Sequence, residues 1–210
     1  MLNIEDLKDE LDTEFVDKIH DIIKNTEDEV YFSDIISDEI NDVIPYTDNR
    51  INDDLIVQYL DVEDSAFIYE NIKDKLLKEI SNILDGGYEL DNEELNTLNK
   101  YNFDLYDVFE GNADVYQLNN DDVAVIVVVL HDSLSEEMKH SIDVLTNTSV
   151  YQSLDDYLCD KFEDMGIENV DVPVKEVKEQ LKGKSLDDMI KNVDVKNTPS
   201  KEVSRDELEL

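Results

Sequence analysis

The segment that decides the fold class is residues 113–130, which reads ADVYQLNNDDVAVIVVVL. Residues 113–118 and 121–130 are rich in strand-forming side chains, and the pair Asn119-Asn120 lies between them, so the pattern predicts a β-hairpin. The run from Val123 to Leu130 is apolar on both faces. Such a run is typical of a central strand that is covered on two sides. It also suits a strand at a contact between two subunits, so the sequence is compatible with a homodimer.

Most of the remaining chain has helical spacing. In the clearest case, residues 65–84, apolar side chains from Phe67 to Leu84 recur on one face, and Asp64 can cap the first turn. Pro45 ends another helix, because the residue before a proline avoids helical geometry. Ser133 and Glu136 have the spacing of a capping box. Helices are predicted at residues 4–23, 34–44, 53–60, 65–84, 91–100, 134–145 and from 153 to about 165.

The expected fold class is α+β and mostly helical, with several amphipathic helices packed on a small sheet that contains the hairpin near residues 113–130. The chain divides by composition. Residues 1–170 are expected to form an acidic globular domain, and residues 171–194 a weakly docked helical segment. Residues 195–210, which contain Pro199, are expected to be a disordered tail.

The charge is the strongest functional signal. The chain has 55 Asp and Glu against 18 Lys and Arg, a formal net charge of −37. Residues 1–170 have 45 acids and 10 bases, whereas residues 171–210 have 10 acids and 8 bases. The charge therefore belongs to the body and not to an acidic tail. Like charges on one small body repel one another and destabilise the compact state, so the surface is expected to have a use.

The residues that usually carry chemistry are sparse. A zinc site needs several His or Cys at close spacing, and this chain has His20, His131, His140 and Cys159 widely separated. Loops with the spacing of a calcium site or a phosphate-binding glycine motif are absent from the sequence. The sequence therefore predicts no catalytic residue, no metal ligand and no cofactor, and the protein is not expected to be an enzyme.

Location and partners follow from the same composition. The beginning of the sequence has no basic region followed by an apolar run, and a single cysteine suits a reducing compartment. The longest apolar run is far shorter than the roughly 20 residues of a membrane span. A body this acidic would be repelled by nucleic acid and by anionic membranes. We therefore expect a protein of the host-cell cytoplasm with no nucleic-acid or membrane partner.

The densest group of acids lies between residues 27 and 70, where Arg50 is the only base. These acids are the candidate partner-binding face. They are Glu27, Asp28, Glu29, Asp34, Asp38, Glu39, Asp42, Asp48, Asp53, Asp54, Asp61, Glu63, Asp64 and Glu70.

Two short boxes in this region carry a resemblance. They are Glu39-Ile40-Asn41-Asp42-Val43-Ile44-Pro45-Tyr46 and Ala66-Phe67-Ile68-Tyr69-Glu70-Asn71-Ile72. Together they resemble a stretch, here residues 36–84, of small acidic proteins of tailed phages whose function is uncharacterised. By charge and size alone, the chain also resembles the phage and plasmid DNA mimics that act as anti-restriction or anti-CRISPR proteins. The second resemblance implies a class of function and no functional residues.

The function expected from these observations is a DNA-mimic inhibitor from a phage or mobile element. It would occupy the basic DNA-binding groove of a host defence nuclease, either a restriction enzyme or a CRISPR effector. Its partner would be a basic DNA- or RNA-binding protein. The alternative is an acidic structural or adaptor protein of a phage, which binds a basic protein without mimicking DNA. A third interpretation, in which the acids are only a solvated surface, also stays open.

Overall fold

The structure, a computed structural model, describes residues 1–60, 66–102, 108 and 114–182, with residues 66–71 described by their backbone alone. They are mostly helical with one two-stranded antiparallel sheet, so the predicted mostly helical α+β class is confirmed. The elements are α1 (Ile4–Glu14), α2 (Ile19–Asn25), α3 (Phe32–Val43), β1 (Tyr46–Thr47), β2 (Arg50–Ile51), α4 (Asp53–Leu60), α5 (Ala66–Asp85), α6 (Asn92–Lys100), α7 (Asn120–Val129), α8 (Glu136–Asp164) and α9 (Val174–Gln180).

The predicted hairpin near residues 113–130 is wrong, because its second half is helix α7. The Asn119 side chain accepts a hydrogen bond from the backbone N–H of Asp122 at 2.8 Å, so the supposed turn is a helix N-cap. Asp121 and Asp122 then lie in the first turn, where the helix dipole favours negative charge. Every residue from Val123 to Val129 is buried, and a helix that is apolar all round belongs in a core.

The only two-stranded sheet among the described residues lies elsewhere, at β1 and β2. Tyr46 pairs with Ile51 and Thr47 with Arg50, and Asp48 and Asn49 form the loop between them. Both loop residues have positive φ angles, 51° and 68°. Two consecutive positive φ angles are the requirement of the tight hairpin turn that matches strand twist, and Asp and Asn accept them better than most residues.

Two of the predicted helix boundaries also change. The helix predicted over residues 4–23 is broken, because α1 ends at Glu14 and a 3₁₀ turn at Val16–Lys18 precedes α2. The helices predicted at 134–145 and from Ser153 are one helix, α8, which begins at Glu136. Leu145, Val150 and Leu154 are fully or nearly fully buried, so the apolar face continues across the gap between the two predictions. Helices α3, α4, α5 and α6 lie close to their predicted ranges.

The chain forms two compact units. The first unit contains residues 1–11 and 40–154, and its core is built around α7, which packs on α4 and α6. Helix α4 buries Leu55, Ile56, Tyr59 and Leu60. Asp91 caps α6 by accepting from the backbone N–H groups of Glu93 and Glu94, and the Glu94 side chain accepts from the Asp91 N–H in return. This capping box fixes where α6 begins.

The second unit contains residues 12–39 and 155–210, of which the structure describes those up to residue 182. Phe15, Phe32 and Phe162 are fully buried and form a ring cluster, with centroids 5.1 to 6.5 Å apart. The closer two pairs have edge-to-face geometry, which aromatic rings prefer. Helix α9 adds Val174 and Val177, both fully buried, and the Val174 N–H donates to the Val30 carbonyl at 2.8 Å.

The predicted disordered tail at 195–210 lies outside the described residues, as does the end of the predicted helical segment at 171–194. The division at residue 170 stays a prediction. The two units do not follow that boundary, because α1, α3 and α8 each supply residues to both.

Candidate functional site

Of the fourteen carboxylates predicted as the partner-binding face, Asp61, Glu63 and Asp64 lie outside the described residues, as does the side chain of Glu70. The other ten divide between the two units, and each group is described by itself. The second unit holds Glu27, Asp28, Glu29, Asp34, Asp38 and Glu39. The first unit holds Asp42, Asp48, Asp53 and Asp54.

The group in the second unit lies in one short piece of chain, residues 27–39, which we call the acidic segment. It has six carboxylates and no Lys or Arg. Five of the six side chains are exposed, and Glu39 is half-buried. Asp28 forms an ion pair with Lys178 at 2.7 Å, so it is partly neutralised by a lysine distant in sequence.

Asp34 and Asp38 are the most regular part of the acidic segment. They lie four residues apart on α3, and both are exposed. Four residues of α-helix rise about 6 Å. Two base pairs rise about 6.8 Å along one DNA strand, so the positions of the two residues along the helix have nearly the axial spacing of alternate phosphates. Within the described part of the chain, neither carboxylate has a cation at ion-pair distance.

In the first unit, Asp42 and Asp48 are exposed. Asp53 and Asp54 are half-buried, and each forms an ion pair. The Asp54 carboxylate forms an ion pair with Lys100 at 2.6 Å. It also accepts from the Tyr101 hydroxyl at 2.8 Å and the Leu2 backbone N–H at 2.9 Å. Burial alone would raise the pKa of Asp54, but the hydrogen bonds from these three partners outweigh it and lower the pKa.

Asp53 has a different environment, although it is the next residue. Its carboxylate lies 2.7 Å from Nη2 of Arg50. Burial raises the pKa of Asp53, and the positive charges of Arg50 and Lys100 oppose that shift without cancelling it. Asp53 and Asp54 therefore hold the start of α4 in place, and a substitution at either would change stability together with any binding.

The sequence interpretation missed a polar pocket of about 160 Å³ in the first unit. Three separate pieces of chain line it: residues 50–53, the beginning of α6, and the end of α7 with the turn that follows. The charged and titratable residues on its wall are Arg50, Asp53, Asp91, Glu93, Glu94, His131 and Asp132. The only signal in the sequence was a histidine directly after the apolar run of α7.

His131 is the most buried of the titratable residues on this wall. It is 5% exposed, and neither ring nitrogen has a hydrogen-bond partner among the described residues. Its nearest carboxylate oxygen, on Asp132, lies 3.7 Å from Nδ1, which is too far for a hydrogen bond. Burial, followed by the Arg50 guanidinium, lowers the pKa of His131, although the carboxylates of Asp143 and Asp132 oppose this shift. The lowered pKa favours the neutral form of the ring.

The described residues contain no group of three or more His, Cys, Asp or Glu side chains placed to hold a metal ion. Cys159 is half-buried on α8, and burial followed by the neighbouring carboxylates raises the pKa of its thiol, which disfavours the nucleophilic thiolate. None of the helices in the described ranges has the length and apolar character of a bilayer span. Comparison with protein-family models, curated proteins and solved structures finds no match.

Proposed function

We propose that this protein is a DNA mimic, encoded by a phage or mobile element, that inhibits a host defence nuclease by occupying its basic DNA-binding groove. The observation that carries the proposal is the excess of carboxylates on a folded body. If each of the 18 bases neutralised one acid, 37 carboxylates would still have no cation. A cationic groove that evolved to hold phosphates would attract such a surface.

The acidic segment supports this function better than the rest of the predicted face. Its carboxylates are mostly exposed, and they project from the regular backbone of a helix and from the turn before it. Asp34 and Asp38 in particular are free of ion pairs among the described residues. Solvated anions on residues spaced along a helix about as far as alternate phosphates along one DNA strand can meet Lys and Arg side chains without first breaking internal contacts.

The proposed interaction is electrostatic, so it must weaken with salt. The Debye length falls from about 10 Å at 0.1 M to about 3 Å at 1 M ionic strength, and exposed charges lose most of their attraction over that range. The test is displacement of a fluorescein-labelled duplex from a panel of restriction endonucleases and RNA-guided nucleases, followed by fluorescence anisotropy. We expect displacement at about 0.05 M salt and a steep loss of it at about 0.5 M. Retention of the duplex by the whole panel in the low-salt arm refutes the proposal.

A matched pair of variants locates the binding face. Asp34→Asn/Asp38→Asn removes two charges from the acidic segment. Asp156→Asn/Asp160→Asn removes two exposed charges with the same four-residue spacing from α8 in the same unit. At about 1 kcal/mol for each contact, the first variant is expected to inhibit roughly 30-fold more weakly. Equal losses for the two variants would mean that the acidic segment is not the binding face.

The phage adaptor is the competing function, and the same assay separates it from mimicry. An adaptor that binds a basic protein outside its DNA groove leaves the duplex in place, whereas a mimic and a duplex exclude each other. Complex formation that can be detected by sedimentation while the anisotropy of the duplex stays high would therefore favour the adaptor.

A further inference from the structure

The chain between α2 and α3, residues 26–31, carries three exposed carboxylates of the acidic segment, those of Glu27, Asp28 and Glu29. We call it the connection. It lies outside the helices, so most of its backbone polar groups need partners from elsewhere. Surface loops are also among the more mobile parts of a protein. A face whose charges stand in for phosphates binds best when its loops are already ordered, because ordering them on binding costs free energy.

A segment distant in sequence supplies these partners. Residues 172–178, which we call the strap, run antiparallel to the connection in the same unit. The Val174 N–H donates to the Val30 carbonyl at 2.8 Å, and the Val174 side chain is fully buried. The Lys175 N–H donates to the Asp28 carbonyl at 3.2 Å. The strap is therefore anchored in the core and bonded to the backbone of the connection.

The side chain of Lys178 makes a second attachment, at the beginning of the connection. Its ammonium group lies 2.7 Å from the Asp28 carboxylate and donates to the Thr26 carbonyl at 3.1 Å. Thr26 is the residue at which α2 ends, and the dipole of a helix favours a cation there. An ammonium has three donors, and two of them here contact residues that are two positions apart. One side chain thus ties the end of α2 to the acidic turn.

The positive charge of Lys178 acts against attraction to a basic groove. It neutralises Asp28 in a segment that otherwise contains only acids among its charged residues. If the amount of negative charge alone decided binding, the chain would bind better without this lysine. Its contacts with Thr26 and Asp28 give it a geometric use instead, because they order the connection before a partner arrives.

We propose that Lys178 is a positioning residue of the partner-binding face, which holds the connection in the conformation that meets the basic groove. This inference rests on the proposed DNA-mimic function. Glu27 and Glu29 are exposed and have no ion pair among the described residues, so they are the carboxylates that meet the cations of the partner. Asp28 stays paired with Lys178 and serves to fix the turn between them.

The first test is amide hydrogen exchange of the free, full-length chain, followed by NMR. In Lys178→Met, the amides of Val174 and Lys175 should exchange at least about tenfold faster, because a charge-assisted attachment beside their acceptors is lost. Lys182→Met is the matched control. It removes the same charge four residues further along, where Lys182 is exposed and pairs with Glu179, and exchange should stay as in the original chain. Equal exchange rates in the two variants would overturn the proposal.

The second test is duplex displacement in dilute buffer, at a temperature where circular dichroism shows every variant to be folded. Lys178→Met should displace the duplex roughly tenfold more weakly although it is one charge more negative, because the connection must then be ordered on binding. Lys182→Met, equally negative, should displace it at least as well as the original chain. Lys178→Arg keeps donors for both acceptors and should restore displacement to within about threefold of the original.

The outcomes separate this inference from the function on which it rests. Displacement by Lys178→Met as strong as by Lys182→Met would overturn the positioning role and leave the mimic intact, and so would failure of Lys178→Arg to restore displacement. If the original chain displaced no duplex from any nuclease, the DNA-mimic function itself would be refuted.

Discussion

Replacing Asp54 by alanine removes the acceptor of three interactions at once, those with Lys100, Tyr101 and the backbone of Leu2. Hydrogen bonds to a charged group contribute about 1.5–3 kcal/mol each, but the three share one carboxylate and are not additive. The Asp54 side chain is 10% exposed, whereas the Lys100 side chain is 44% exposed and can return to water. We therefore expect the free energy of unfolding to fall by about 2–4 kcal/mol.

The measurement is urea denaturation at pH 7, followed by helical circular dichroism. With a slope of about 2 kcal/mol per molar urea, the midpoint should fall by roughly 1–2 M. Asp38→Ala is the matched control, because it removes an exposed acid that has no ion pair among the described residues. It should change stability by less than about 0.5 kcal/mol.

The pH dependence provides a second check. The folded pKa of Asp54 is lowered, so its stabilising effect is present above the unfolded value of 3.8 and is lost as pH falls through the folded pKa. The difference between the original chain and Asp54→Ala should therefore shrink at low pH. A loss at pH 7 no larger than that of Asp38→Ala would refute the structural role of Asp54.

Three other outcomes follow from the structure. Ile126→Ala in the fully buried part of α7 should destabilise the chain by about 2–5 kcal/mol, measured by the same urea titration. Burial and the Arg50 guanidinium lower the pKa of His131, so the unfolded chain binds this proton more tightly and stability should fall as pH drops below 6.5. His131→Phe should show a smaller fall between pH 7.5 and 5.5. The Cys159 thiol, whose pKa is raised by burial and neighbouring carboxylates, should react with iodoacetamide more slowly than glutathione at pH 8 and speed up in urea.

Short helices with a clear apolar face were predictable from the sequence, and the apolar run of α7 was not. Helices α4 and α6 combine a clear apolar face with acids at their beginning, so their ranges follow from spacing and capping. In α7 the run from Val123 to Leu130 has no polar face, and its β-branched residues favour a strand locally. Burial among other helices overrides that preference, and a single sequence does not contain this information.

The acidic segment and the pocket also differ in whether the sequence alone could predict them. The acidic segment is visible in the sequence because its residues are neighbours along the chain. The pocket could not be predicted because Arg50, Asp91 and His131 are separated by about 40 residues each along the chain. Only the packing of α7 against α4 and α6 brings such segments together. The hydrogen bonds of Asp54 could not be predicted for the same reason, because its partners lie far before and far after it in the sequence.

The apolar sequence of helix α7 also favours aggregation, which the neighbouring acids oppose. A stretch of eight uncharged residues rich in valine, with no proline, has the composition of segments that assemble into amyloid once they are released from their fold. Asp121, Asp122 and Asp132 flank it on both sides, which is how natural sequences place gatekeeper residues. With a net charge of −37, opened chains are expected to repel one another and stay dispersed in dilute buffer. A variant that loosens α7 is therefore expected to form fibrils where concentrated salt screens that repulsion.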